Sequence, residues 1–167
     1  MNLEAIDDET SAFGVRANAT GEGATAVGSN ASAVDRATAL GASASAIGEN
    51  SIAVGRLANV TDISSLAIGE EAQALGNRSF AFGVQANAAQ NDTLALGSGA
   101  VANYSGSAAL GQNVSTTRAG QVALGSSSAE ITIANLATGS SNTDGSQFEM
   151  VVANGDGTLS GLTMQGV

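Results

Sequence analysis

The chain has 167 residues, a formal charge of −10 from fifteen acids and five bases, no Cys and no His. All five bases are Arg, so no basic stripe is present to neutralise phosphates, which argues against a nucleic-acid partner. Aromatics make up 3% and Trp is absent, which excludes a large conventional core, and the missing Cys excludes a disulfide or a thiolate metal site without deciding the redox compartment.

The chain opens with Met1 and an acidic stretch, Asn2–Glu9, that matches no signal peptide, and no apolar run has the length of a membrane span, so this segment is not expected to insert in a membrane. We read the chain as a piece of something longer and residues 1–11 as an N-terminal cap on a repetitive body.

From residue 12 to 125 a fourteen-residue block repeats. Each block ends on a small residue, a variable one, Ala, a large apolar residue and Gly: ATAVG (Ala24–Gly28), ATALG (Ala37–Gly41), SIAVG (Ser51–Gly55), SLAIG (Ser65–Gly69), SFAFG (Ser79–Gly83), TLALG (Thr93–Gly97), SAALG (Ser107–Gly111) and QVALG (Gln121–Gly125). Ala12-Phe13-Gly14 is a partial first copy. The closing glycines are spaced by fourteen, except Gly28 to Gly41, which is thirteen. A short fixed period of this kind specifies a solenoid, and it argues against disorder despite the abundance of Gly, Ala, Ser and Asn.

Counted from the preceding Gly, position twelve is Ala: Ala26, Ala39 in the short copy, Ala53, Ala67, Ala81, Ala95, Ala109 and Ala123. Positions eleven and thirteen are mostly large, as in Ile52/Val54, Leu66/Ile68, Phe80/Phe82, Leu94/Leu96 and Val122/Leu124, with Val27, Leu40 and Leu110 in the remaining copies. Neighbours in a strand face opposite sides, so the Ala row lines the interior of the roll and the large pair faces away from it. In the first half of each block, positions three and five are usually small and apolar while position four is usually polar (Asn18, Ser32, Ser45, Asn59, Gln73, Asn87, Ser115). That alternation predicts a second strand with one buried and one wet face. All twelve charges between Gly14 and Gly125 fall at positions one, two, seven, eight or nine, outside both strands.

The reading is an all-β parallel roll of about eight coils with strands about 4.8 Å apart, hence on the order of 40 Å long. The interior is too thin for the large pairs, so they form an outward apolar ribbon that exceeds the roughly 300–600 Å² patch of a typical monomer. Self-association along that ribbon is expected. After Gly125, a strand is expected at Ile131–Leu136 and a hairpin from Phe148–Ala153, the Asn154-Gly155-Asp156-Gly157 turn and Thr158–Met164. Residues 126–167 are read as a β-rich cap or connector.

The series SIAVG–SLAIG–SFAFG at this period resembles the head repeat of the trimeric autotransporter adhesins, the YadA-like family. The resemblance implies a left-handed parallel β-roll, three rolls about one axis, and a place on an outer-membrane-anchored fibre at a bacterial cell surface, at its tip or shaft. The ribbon would then be the trimer interface. The resemblance also implies host matrix protein or another surface ligand along the outer face, for which Arg56, Asn59, Glu70, Glu71, Gln73, Asn87 and Tyr104 are the candidate contacts. The tail ITIANLATG…GSQFEMVVANGDGTL resembles connector segments of such proteins. A signal peptide, a stalk and a membrane anchor are absent from the sequence, as expected for a fragment.

Little here points to chemistry. Without His, Lys or Cys, no hydroxyl has an ordinary base, so an enzyme is not expected. No Walker lysine motif or GxGxxG implies a cofactor, no repeated Asp row implies a metal, and Asp144 and Asp156 read as turn residues. The Asn-x-Ser/Thr triplets at Asn18, Asn30, Asn59, Asn77, Asn91, Asn103 and Asn113 follow from composition. Two other readings remain: a spacer module of a fibre with binding done elsewhere, and an ice-binding solenoid. The second needs a ladder of Thr, whereas Thr20, Thr25, Thr38, Thr61, Thr93 and Thr116 fall in several rows.

Overall fold

The computed structural model describes residues 4–5, 9–127, 129, 149–153 and 159–163. Two compact units divide the chain, Met1–Ile131 and Thr132–Val167. The described residues are all strand, turn and coil, with no helix.

The first unit is a parallel β-roll. One sheet has nine strands of three residues: Ser11–Phe13, Thr25–Val27, Thr38–Leu40, Ile52–Val54, Leu66–Ile68, Phe80–Phe82, Leu94–Leu96, Ala108–Leu110 and Val122–Leu124. The other has eight strands of two: Glu4–Ala5, Asn18–Ala19, Ser32–Ala33, Ser45–Ala46, Asn59–Val60, Gln73–Ala74, Asn87–Ala88 and Val101–Ala102. Every pairing in both sheets is parallel and joins equivalent positions of successive coils, as in Leu66↔Phe80, Ala67↔Ala81 and Ile68↔Phe82. Side chains therefore stack in straight columns along the roll. The outer ladder begins at Glu4↔Asn18, ahead of the first complete block, and ends in a single bridge, Val101↔Ser115.

The core is a double layer of alanine. Ala26, Ala39, Ala53, Ala67, Ala81, Ala95 and Ala109 are fully buried, facing buried rows such as Ala44/Ala46, Ala72/Ala74, Ala86/Ala88 and Ala100/Ala102. Ala123, on the last strand of its sheet, is only partly buried. Val60 and Val114 are the largest buried side chains.

Turns close each coil in a fixed way. The first turn carries a hydrogen bond from residue four to residue one, for instance Ala86 N to Gly83 O at 3.1 Å. Its closing glycine has a φ of +133° at Gly83, and a Cβ there would lie 2.6 Å from the backbone carbonyl of Gly97. Glycine is thus required twice, by conformation and by the approach of the next coil. The turns also hold left-handed non-glycine residues, at position two (Arg16, Asn30, Ser43, Leu57, Glu71, Gln85, Asn113) and at position nine (Asn50, Ser64, Arg78, Asp92), with Arg36 at position eight of the short coil. The thirteen-residue coil keeps both ladders, Ser32↔Ser45 and Thr38↔Ile52, so its missing residue comes out of the second turn, around Val34–Arg36.

In the second unit, Glu149–Ala153 pairs antiparallel with Leu159–Thr163, the hairpin expected from the sequence. The turn expected between them at Asn154–Gly157, the strand expected at Ile131–Leu136, and Asp144 lie outside the described residues.

Candidate functional site

The nine-stranded sheet presents two parallel columns of large apolar side chains away from the alanine core. One column runs through Ile52, Leu66, Phe80, Leu94 and Val122, and the other through Val27, Leu40, Val54, Ile68, Phe82, Leu96, Leu110 and Leu124. All are half-buried or exposed in the single chain. Ile68 is 39% exposed, Leu96 48% and Val122 67%. Toward the N-terminal end the first column turns polar, with Ser11, Thr25 and Thr38 in register. The reading of the sequence left out Phe13, which pairs with Val27 and is 75% exposed at the end of the second column. The partial first copy Ala12-Phe13-Gly14 was the signal that places it there.

A shallow groove borders the ribbon on one side. It is lined by Phe80, Leu94 and Thr93, with Ser64, Arg78 and Asp92 of the second turns. Arg78 donates from Nε to Asp92 Oδ1 at 2.7 Å and from its terminal nitrogen to Oδ2 at 3.0 Å. That paired bonding holds the Asp92 carboxyl below its ordinary range and raises the Arg78 guanidinium.

The residues picked out as a ligand face fall on three surfaces. Asn59, Gln73 and Asn87 stack in register on the eight-stranded sheet. Arg56, Glu70 and Glu71 lie on the adjacent first turns, where Arg56 bonds Glu70 and reaches Glu71 at 3.3 Å. Gln85 Nε2 donates to Glu71 Oε2 at 3.0 Å, extending this chain of contacts across a third coil. The bond to Glu70, then its charge, raises the Arg56 guanidinium. Tyr104 is exposed on a second turn, apart from both groups.

A polar row inside the roll was not foreseen. Position ten holds Ser51, Ser65, Ser79, Thr93 and Ser107, all buried. Ser65 Oγ donates to Gly76 O at 2.8 Å and accepts from Ser79 N at 3.1 Å, and Thr93 Oγ1 donates to Gln90 O at 2.6 Å. Ser65 and Thr93 thus bind turn backbone, Ser107 Oγ donates to Thr116 Oγ1 at 3.1 Å, and the buried Ser51 and Ser79 hydroxyls have no hydrogen-bond partner among the described residues. Among the described residues no group of three or more His, Cys, Asp or Glu side chains is placed to hold a metal ion.

A family model described as the YadA head domain repeat matches residues 8–31, 35–58, 63–86 and 76–100, just over half of the chain. The chain belongs to the YadA head-repeat family. Among solved structures, the collagen-binding domain of the Yersinia adhesin YadA matches with a TM-score of 0.61 at 23% identity, over 83% of this chain and 92% of that one. At that identity the likeness is one of fold. No curated protein matches the chain. The protein is thus a YadA-like trimeric autotransporter adhesin head, as its repeat signature suggested, and its parallel solenoid of about eight turns is the β-roll of that family.

Proposed function

We propose that this YadA-like head works as a homotrimer on a bacterial cell surface and attaches the cell to extracellular matrix through repeated weak contacts on its outer face. The observation that carries the reading is the ribbon: two in-register columns of Val, Ile, Leu and Phe left open by the single chain. Burying the open half of one such side chain contributes on the order of 1 kcal/mol, and the columns repeat the gain coil after coil. In this reading residues 12–125 are the head, 1–11 cover its free end, and 126–167 lead to a stalk.

Ligand contact falls to Asn59, Gln73 and Asn87, with Arg56, Glu70 and Glu71 beside them and Tyr104 on the other turn. These polar groups recur at coil spacing and, in a trimer, on three faces, which suits an extended, repetitive matrix protein. A collagen-like ligand is the first candidate, because the structurally similar YadA domain is a collagen-binding one. Linked weak sites reach avidities roughly 10²–10⁴ above a single contact.

The test is solid-phase binding of the trimer to immobilised collagen and other matrix proteins. Saturable binding that falls when Asn59, Gln73 and Asn87 are together replaced by Ala, with unchanged mass, supports the reading. An intact trimer that binds none of them assigns the head to a spacer role.

A further inference from the structure

We propose that the groove beside Phe80 and Leu94 is filled by a second copy of this chain, which seats there the opposite edge of its own ribbon, Phe82 and Val84. The proposal rests on the homotrimer reading and adds which surfaces meet and in what register.

The ribbon has two unlike edges. The Leu66/Phe80/Leu94 column borders the second turns, where Ser64, Arg78 and Asp92 form the groove's rim. The Ile68/Phe82/Leu96 column borders the first turns, which come directly after the closing glycines. In the groove the Thr93, Arg78 and Asp92 side chains are already engaged. Thr93 Oγ1 donates to Gln90 O at 2.6 Å, and Arg78 bonds both carboxylate oxygens of Asp92 at 2.7 and 3.0 Å. With Phe80 and Leu94 beside these satisfied groups, the groove suits an apolar occupant better than a charged or strongly hydrogen-bonding one.

The opposite edge supplies such an occupant at this level of the roll. The residue after the closing glycine is Ser29, Ala42, Arg56, Glu70, Ser98 or Gln112 in six coils and Val in two: Val15, at the end of the roll where the first column is polar (Ser11, Thr25), and Val84, in the coil that comes after Phe80–Phe82. Val84 is 48% exposed, and Phe82 beside it is half-buried. When copies stand parallel about one axis, equivalent coils share a height. Val84 then meets the Phe80–Leu94 groove to within one strand spacing of about 4.8 Å. Edge-to-opposite-edge contact is heterologous, and it closes into a ring when the rotation allows.

Cysteine pairing tests this cleanly, because the chain has no Cys. Arg78→Cys and Val84→Cys are made singly and together, and each protein is weighed by light scattering and then oxidised with copper phenanthroline. Within one chain the extended strand Phe80–Phe82 separates the two positions beyond the roughly 7 Å a disulfide spans. The expected result is a trimer mass, disulfide-linked dimers and trimers from the double variant, and no cross-linking from either single one. A trimer that links through a single variant, or not at all in the double, overturns the groove assignment and leaves the homotrimer reading standing. A monomer mass for the parent chain overturns both. Val84→Arg provides a second measurement that avoids loss of fold, since Arg56 already occupies this turn position two coils earlier. It is expected to weaken trimer association tenfold or more with an unchanged far-UV spectrum, and unchanged association overturns the proposal.

Discussion

Replacing Gly83 by Ala tests the stacking geometry where it is tightest. The new Cβ would stand 2.6 Å from both C and O of Gly97 and 2.9 Å from Ser98 N, whereas ordinary contact begins near 3.4 Å. The next coil must retreat by about 0.8 Å, and nothing nearby can move in its place because the atoms met are backbone. Gly97 N now donates to Phe82 O at 2.8 Å, and the same displacement carries that bond to about 3.6 Å, beyond bonding range. A φ of +133° adds strain of roughly 1–3 kcal/mol for an L-residue, and the lost bond adds about 1 kcal/mol. The expected cost is about 2–4 kcal/mol. Gly106→Ala is the matched control. Its φ is +68° and the nearest atoms to a Cβ lie 3.9 Å away. Ser64, Arg78 and Asp92 hold the same turn position with φ of 53°, 52° and 59°. About 1 kcal/mol is expected there. Urea unfolding monitored by circular dichroism, at one chain concentration, compares the two. Equal costs for the two variants would refute the reasoning, because the closing glycines would then be needed only for their backbone angle.

The interior gives a second test: Ala81→Leu adds three carbons between Ala67 and Ala95, its in-register neighbours, and should cost about 1–3 kcal/mol, whereas Asn87→Leu on the open face should stay within about 0.5 kcal/mol in the same unfolding assay. Ile68→Asp places a carboxylate in the ribbon of every copy, at on the order of 2–3 kcal/mol each from lost burial and an unpaired charge, so light scattering should report a monomer while circular dichroism retains the roll. In Arg78→Gln the Asp92 carboxyl loses the bond that depresses it, and its NMR titration should move up toward the ordinary carboxylate range. The pair contributes to stability above that ordinary range and ceases to as pH falls through the depressed value, so parent and variant should converge in acid. Both groups are exposed, and the difference at neutral pH should be small and shrink further with added salt.

The roll was legible because each of its two strands leaves a different trace. A fixed Ala between two large residues, as in Phe80-Ala81-Phe82, admits one arrangement in a stacked strand: small side inward, large side outward. The Asn87-Ala88 type of strand declares itself by alternation. The buried hydroxyl row was hidden because Ser51, Ser65 and Ser79 look like surface residues by polarity. Ser65 finds its partner in Gly76 O, eleven residues ahead, which only the coil brings into reach. What marked the row was size, since position ten is Ala, Ser or Thr from Ala24 through Ser107 and never charged. The left-handed turn residues escaped notice for a related reason. Arg78, Leu57 and Glu71 adopt φ of 52–60° although none favours it, because the ladders on either side of the turn dictate its path. The proposed ligand face was the least legible. Choosing residues for polarity and exposure gathered Tyr104 with Asn59 and Arg56, although they stand on a second turn, the outer sheet and a first turn.

The short coil indicates which parts of this architecture are fixed. Losing one residue between Gly28 and Gly41 changes neither Ser32↔Ser45 nor Thr38↔Ile52, so the second turn absorbs the whole loss. Had it fallen within a strand, every side chain beyond it would have changed faces, and the ribbon would have met the alanine core. Variation therefore gathers in the turns, which carry the charges and the ion pairs Arg36–Glu49, Arg56–Glu70 and Arg78–Asp92 between neighbouring coils. The columns stay in phase from Phe13 to Leu124, and that constancy serves both faces at once. It would let one ribbon meet its own copies along the full length of the proposed trimer, and it repeats the outer polar row at a constant rise. The hydrogen-bonded ladders between coils set that rise, so the proposed ligand, if it has an axial repeat of its own, engages several coils together only where the ladders run unbroken, which makes the tight glycine contacts between coils the points at which a single enlarged side chain does most damage.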